Sequence, residues 1–135
     1  MHENGVIFGK GFLGARLAEE FGYKVVCMDE VDPSDYDSLA NFLSTNKPAI
    51  IINAVAKTGK PNIDWCETHK EETFMSNVIA AASLGITCSE RGIYFVHFGT
   101  GGIYTGKNGG KKFNEEDEPT FYEQTYSKTK IIAEK

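Results

Sequence analysis

The sequence predicts an α/β fold built on a doubly wound parallel sheet. Two observations carry this. Short apolar runs without polar alternation recur along the chain, as strands buried on both faces do. Amphipathic stretches at helical spacing separate them, giving the order β-α-β-α-β-α-β, then a loop and a last helix. Right-handed crossovers turn that order into a sheet covered by helices on both faces. The 135 residues suit one domain, and 41% hydrophobic with 24% charged residues is ordinary globular composition.

Gly5-Val6-Ile7-Phe8 is the first apolar run. Leu13, Leu17 and Phe21 then recur at i, i+4, i+8 between charged residues, and Gly22 follows as a stop, so a helix is expected there. Lys24 to Met28 forms the second strand and ends at Asp29. Ser34 or Asp35 can cap a helix bearing Leu39, Phe42 and Leu43, which must end before Pro48. Ala49 to Ile52 is the third strand. Thr58 to Asp64, with Gly59 and Pro61, is a loop. One long helix is expected from about Thr68 to Arg91, with Phe74, Val78, Ala81, Ala82 and Ile86 facing inward. Ile93 to Val96 is the fourth strand, Gly99 to Thr120 a Gly-rich charged loop, and a final helix starts near Thr125. The acidic run Glu115 to Glu118 reads as a solvated loop.

The net charge of −5 argues against nucleic acid or an anionic membrane as the main partner. The start, Met1-His2-Glu3-Asn4-Gly5, has neither the basic nor the apolar region of a secretory signal, and no apolar run is long enough to span a bilayer. Cys27, Cys66 and Cys88 form no disulfide framework and no metal pattern, so a reducing, cytoplasmic setting is expected.

Gly9-Lys10-Gly11-Phe12-Leu13-Gly14 fits G-x-G-x-x-G between a strand and a helix. In that context Gly9 allows the tight turn, Gly11 lets the backbone approach a pyrophosphate, and Gly14 lets helix and strand pack closely. The helix start then offers amides and a positive dipole end to phosphates. A dinucleotide is the expected ligand. Asp29 favours NADH, because a carboxylate there binds ribose hydroxyls and repels a 2′-phosphate, whereas Lys10 favours NADPH. Asp32 can meet the adenine amino group or serve as a cap; Asp35 reads as a cap.

Tyr126 and Lys130 stand at i and i+4, on one helix face. A nearby ammonium lowers a phenol from its usual ~10, so such a tyrosine can hand a proton to a carbonyl oxygen as hydride reaches the carbon. Lys130 can also bind the nicotinamide ribose. Thr100 follows the fourth strand, at the end of the sheet where ligands of this fold bind.

Together the glycine loop, Asn53-Ala54-Val55-Ala56, Asn77-Val78, Thr100 and Tyr126-x-x-x-Lys130 resemble the extended short-chain dehydrogenase/reductases that act on nucleotide sugars. A narrower resemblance lies in Asn53 to Lys70, in Phe113 to Pro119 and in Tyr126-Ser127-Lys128-Thr129-Lys130. These are similar to nucleotide-rhamnose synthases of the bifunctional 3,5-epimerase/4-reductase type and, less closely, to dTDP-4-dehydrorhamnose reductases.

The resemblance implies an NAD(P)-binding Rossmann domain over residues 1–135 and an NADPH or NADH cofactor. It implies reduction at C4, with 3,5-epimerisation, of an NDP-4-keto-6-deoxy sugar on the way to NDP-L-rhamnose. Cofactor contacts would come from Gly9, Lys10, Gly11, Phe12, Leu13, Gly14, Asp29, Asp32, Ala54, Val55, Ala56, Asn77, Tyr126 and Lys130. Substrate contacts would come from Asn62, Thr100 and Gly101. Thr100 would bond the C4 oxygen, Tyr126 would protonate it, and Lys130 would tune Tyr126. Asn77 would support the proton relay or simply pack the helix.

Cys66 is the candidate acid–base group for epimerisation, because a thiol near pKa ~8.5 can exchange protons beside the ketone; its alternative is a packed cysteine beside Trp65. His69 is the weaker partner, expected to point to solvent. Gly101-Gly102 stand where related dehydratases carry an Asp-Glu pair, which removes the dehydratase reading. The family pattern has a further carboxyl-terminal part about as long again. A second reading is therefore a cofactor-binding module or subunit without turnover. The partners expected are a nucleotide-sugar substrate, no nucleic acid and no membrane, with a homodimer among the assemblies allowed.

Overall fold

The computed structural model describes residues 4–135; Met1 to Glu3, read above for the lack of a leader, lie outside the described residues. Four parallel strands, β1 (Gly5–Phe8), β2 (Lys24–Val26), β3 (Ile50–Asn53) and β4 (Tyr94–His97), form one sheet in the order β2-β1-β3-β4. Phe8 pairs with Val26 on one side and Asn53 on the other, and Asn53 pairs with His97. The carboxyl ends of all four strands therefore lie level. The chain order reverses between β1 and β3, so the loops after Phe8 and Asn53 leave side by side at the switch point, where such sheets bind ligands.

Both faces of the central strands are buried. Val6, Phe8, Val26 and Ile51 pack with Leu39 and Leu43 of α2 (Tyr36–Asn46) and with Leu84 and Cys88 of α5 (Ala80–Arg91). Ile7 faces the other way, toward α1 (Phe12–Phe21). As expected, α1 closes on Gly22 in the left-handed region, and Asp35 caps α2 by accepting from the amides of Asp37 and Ser38. The expected stripe on α1 is corrected. Leu13 and Phe21 are 39% and 45% exposed, and the buried residue of the helix is Gly14. Leu17 is half-buried, and the closest approach of the helix to the sheet is made by backbone at Gly14. A Cβ on Gly14 would collide with the Gly9 carbonyl oxygen, and one on Gly9 (φ +106) would meet the Ala54 carbonyl at 2.8 Å.

The second strand is shorter than expected. It ends at Val26, whose carbonyl accepts from Gly9, and the Cys27 carbonyl then turns the chain by accepting from Glu30 and Val31. Asp29 thus sits in a turn past the strand.

The long helix is also corrected. It divides into α3 (Trp65–Thr68), α4 (Lys70–Phe74), a π turn (Met75–Ile79) and α5. Phe74, Ala82 and Ile86 face out. The inward side chains include Thr73, Ser76, Asn77, Val78, Ala81, Leu84, Thr87 and Cys88. The π turn buries Ser76, Asn77 and Val78 in succession, so polar side chains share the inward face with the expected Val78. A single-turn 3₁₀ segment, Gly101–Ile103, follows β4, and α6 (Thr125–Glu134) closes the described chain. No helix among the described residues is long and apolar enough to cross a membrane.

The glycine loop gives a direct test. Gly14→Ala forces a Cβ onto the Gly9 carbonyl and is expected to cost about 1–3 kcal/mol in urea unfolding. Gly11→Ala meets no heavy atom within 4 Å and is expected to cost less than about 1 kcal/mol. Equal losses for the two would contradict the close approach.

Candidate functional site

The loops beyond the strand ends build the site. Gly11 stands at the N-cap of α1 without a side-chain hydrogen bond, and a Cβ there would meet open space. The first-turn amides of α1 therefore face a cradle that no side chain fills. Phe12 is 86% exposed beside it. Across the cradle, the Ala54 amide donates to the Phe8 carbonyl and the Val55 amide to Asn53 Oδ1. Val55 is buried and Ala56 lies on the lip of a cavity of about 380 Å³ that Lys57, Thr58, Gly59, Lys60 and Trp65 complete. The arrangement of Gly9, Gly11, Gly14 and Ala54 fits a dinucleotide phosphate lying against backbone.

Asp29 and Lys10 are both exposed at this end of the sheet. Burial pushes the Cys27 thiol up, the charges of Glu30 and Asp29 push it further, and Lys10 opposes them. Lys10 and Asp29 therefore act on one locality, where the sequence set them against each other. Asp32 is committed to a turn: its Oδ1 accepts from the Ser34 amide at 2.8 Å and the Ser34 hydroxyl at 2.7 Å. Asp32 does not cap the helix, a position Asp35 holds; its carboxylate shapes the turn that leads into α2.

Asn77, in the π turn, is fully buried and ties three segments together. Its Oδ1 accepts from the Lys57 amide at 2.7 Å, and its Nδ2 donates to the Lys57 carbonyl at 3.1 Å and to Thr129 Oγ1 at 3.1 Å. The packing-amide reading of Asn77 describes these bonds. Cys66 is also fully buried; its thiol lies 3.7 Å from the same Lys57 carbonyl. His69 does not point to solvent. It stacks on Trp65 at 3.8 Å between centroids, half-buried, with Nδ1 at 3.0 Å from the Trp65 carbonyl. Asn62 accepts from the Asp64 amide and shapes the loop before α3.

Helix α6 holds the loop after β4 at alternate residues. Lys130 Nζ donates to the Phe98 carbonyl at 2.6 Å, the Thr100 amide donates to Glu134 Oε1 at 3.3 Å, and Ser127 Oγ donates to the Gly102 carbonyl at 2.8 Å. Gly99 has no Cβ where the Glu134 carboxylate sits. Lys130 is 2% exposed, and burial lowers its pKa although Glu134 opposes this.

Thr100 caps the 3₁₀ turn, accepting from the Gly102 amide at 3.2 Å. Thr100 and Tyr126 line separate cavities. Thr100 and Gly101 border one with Tyr104, Phe113 and Glu134. Tyr126 borders another of about 220 Å³ with Ile63, Gly102, Tyr104, Phe121 and Gln124. The 3₁₀ turn and Tyr104 form the wall between them.

Several organising residues carried no assigned role in the sequence reading: Asn53, Glu67, Ser127 and Thr129, which lie within the matched motifs, and His97 and Glu134, which do not. Each acts through a remote hydrogen bond that leaves no periodic signal. The expected acidic loop is also more than solvated. Asp117 Oδ2 accepts from the Asn114 amide and Asn108 Nδ2, and its carbonyl accepts from the Tyr104 hydroxyl. Cys88 lies in the core, with burial raising its thiol to about 11, whereas Cys27 is half-buried.

A family model described as the RmlD substrate binding domain matches residues 6–135. The bifunctional dTDP-4-dehydrorhamnose 3,5-epimerase/dTDP-4-dehydrorhamnose reductase of Arabidopsis thaliana is 39% identical over 105 residues, covering 74% of this chain and 35% of its own length. A trifunctional UDP-glucose 4,6-dehydratase/UDP-4-keto-6-deoxy-D-glucose 3,5-epimerase/UDP-4-keto-L-rhamnose-reductase of the same plant is 35% identical over 143 residues, covering 96% of this chain and 21% of its own. Among solved structures, the UDP-rhamnose synthase of Acanthamoeba polyphaga mimivirus superposes with a TM-score of 0.85 at 27% identity, over 98% of this chain and 50% of that one. The dTDP-4-dehydrorhamnose reductase of Bacillus anthracis, in complex with NADP, shares the fold with a TM-score of 0.87 at 22% identity, over 99% of this chain and 48% of that one. The chain thus spans about a third or less of these curated relatives and about half of these structures.

His97 yields a pH test. Its Nδ1 lies 3.0 Å from Asn53 Nδ2, which can only donate, so Nδ1 accepts and Nε2 carries the proton, buried and without a partner. Burial, then the Lys130 charge, lowers His97 from 6.5 to about 4. Above pH 6.5 neither folded nor unfolded chain holds the second proton. As pH falls from 6.5 to about 4 the unfolded chain takes it up and the folded protein does not, so stability declines across that window. In urea unfolding at about pH 7, 5.5 and 4.5, His97→Gln is expected to flatten this decline; an unchanged slope refutes the assignment.

Proposed function

Since the chain belongs to the family of RmlD substrate binding domains, we propose that it forms the cofactor- and ketone-binding part of a nucleotide-sugar 4-reductase/3,5-epimerase. The substrate would be an NDP-4-keto-6-deoxy sugar and the product an NDP-L-rhamnose, made in the cytoplasm, where the three cysteines stay free thiols. One observation carries the reading. The phosphate cradle of the glycine loop and the Tyr126 cavity open at the same end of one sheet, and Asn77 ties the loop between them to the tyrosine's helix. Relatives named as epimerase/reductases of such sugars support it.

The cradle residues Gly9 to Gly14 would take the NAD(P)H pyrophosphate against the first-turn amides of α1, with Ala54 to Ala56 alongside. Bound there, the dinucleotide supplies a hydride. Tyr126 would donate its hydroxyl proton to the C4 oxygen as the ketone is reduced to an alcohol. Thr100 would bond the same oxygen, which requires the Gly101–Ile103 turn and Tyr104, now between the two hydroxyls, to shift when sugar enters. Lys130 keeps one of its three N–H donors on the Phe98 carbonyl, leaving two for a ribose and for Tyr126. Asn62 and Gly101 would border the sugar. Cys66 would exchange protons at C3 and C5. Its thiol is buried against the Lys57 carbonyl, so this role requires the Lys57 to Asp64 loop to move when sugar enters. Lys10 and Asp29 would decide between NADPH and NADH at one place.

The test is NAD(P)H oxidation with an NDP-4-keto-6-deoxy sugar by the complete enzyme, this part joined to the further part of the family pattern; the 135 residues alone are expected to bind NAD(P)H weakly without useful turnover. Tyr126→Phe is expected to lower the rate by at least about 100-fold while NAD(P)H affinity stays within about twofold. Cys66→Ser is expected to block epimerisation and spare reduction of a sugar already epimerised; if both fall together, Cys66 is a packing residue. Side-by-side titration should show Asp29→Ala shifting preference toward NADPH and Lys10→Ala toward NADH.

A further inference from the structure

Helix α6 carries Tyr126 in its first turn, yet it starts without a cap of its own. Gln124 holds the N-cap position and makes no side-chain capping hydrogen bond. A helix start leaves amides that need partners, and a negative charge there is favoured by the helix dipole. The partner comes from another element. Glu67 of α3 accepts the Thr125 backbone N–H on Oε1 at 2.6 Å and the Thr125 hydroxyl on Oε2 at 2.9 Å. Both carboxylate oxygens are thus spent on the residue that precedes Tyr126. Glu67 also directly follows Cys66, which is buried against the Lys57 carbonyl that Asn77 holds.

We propose that Glu67 is a positioning residue for Tyr126, a remote cap that fixes the first turn of α6 and couples the Cys66 segment to the proton-donating hydroxyl. This rests on the reductase reading above. The geometry explains the need. Lys130 sits further along the helix and is anchored to the Phe98 carbonyl, but Tyr126 lies at the end that would fray without Glu67. An error of about 1 Å in a reacting group can cost ~100-fold in rate. The two hydrogen bonds from Thr125, and after them the charges of Lys70 and Lys128, hold the Glu67 carboxyl below the usual glutamate range, so the cap is ionised at neutral pH.

Two readouts test this. By NMR, the Thr125 amide resonance is expected to titrate with an inflection below the ordinary glutamate range, and the inflection is expected to vanish in Glu67→Gln. In the sugar-dependent oxidation of NAD(P)H, Glu67→Ala is expected to lower kcat about 10- to 100-fold with KM for cofactor and sugar within about twofold. Glu67→Gln keeps an acceptor for the amide and is expected to recover most of that loss. A Thr125 amide blind to pH overturns the cap. An unchanged kcat in Glu67→Ala, or a raised KM with kcat intact, overturns the positioning role while leaving the reductase reading in place. A wild-type complete enzyme, this part joined to the further part of the family pattern, that oxidises no NAD(P)H with the sugar overturns the reductase reading and its catalytic consequence, and the Thr125 titration still reports on the cap.

Discussion

One buried amide sets the architecture of the site. The segment after β3 has left the sheet, so the Lys57 amide and carbonyl have lost the strand partner that would satisfy them. Asn77 replaces that partner, bonding both groups with its side chain and spending its remaining N–H on Thr129 of α6. A buried polar group left unpaired costs about 1–3 kcal/mol, so the three bonds are held together by the penalty for breaking any one of them. The π turn is what makes this reach possible: it buries Ser76, Asn77 and Val78 in succession, where a regular helix would turn one of them outward. The loop after β3, the long helical segment and α6 are thereby fixed to a common point.

The same logic runs through α6. Three of its residues reach the loop after β4 and take Phe98, Thr100 and Gly102 in alternation, as a neighbouring strand would. The helix thus substitutes for a sheet edge on a segment that has left the sheet. The cost falls on Lys130, whose ammonium is desolvated to make the contact. The stress spreads to His97, whose second nitrogen is buried without a partner beside that charge. Uncompensated polarity therefore gathers at the carboxyl end of β4, next to the residues the chemistry would use.

The parts legible in the sequence were those fixed by local physics. Glycines at 9, 11 and 14 can sit between a strand and a helix for few reasons, and the apolar runs at 5–8 and 50–52 could only be buried strands. The start of α6 near Thr125 was visible for the same reason. What failed was inference from apolar spacing alone. Leu13, Phe21, Phe74 and Ile86 have helical periodicity and lie outward or half-exposed, while Thr73, Asn77 and Thr87 lie inward. Polar residues can be core when their partners come from elsewhere in the chain, and the partners of Asn77 lie 20 and 52 residues away. Glu67 escaped notice for that reason too: its role exists only once Thr125 is brought to it.

Thr100 shows how a structural bond can select a chemical state. A hydroxyl has one proton to give and lone pairs to accept with. In capping the 3₁₀ turn, Thr100 Oγ1 accepts the Gly102 amide, which leaves its proton available as a donor. That is the polarity a ketone oxygen requires, since the oxygen gains negative charge as its carbon is reduced and is best met by donors. Gly102 contributes through its amide and needs no side chain; a residue with its own acid or base there would compete for the same oxygen and favour a different reaction. The turn that shapes the loop and the hydrogen bond offered to the substrate are, on the proposed reading, two uses of one hydroxyl.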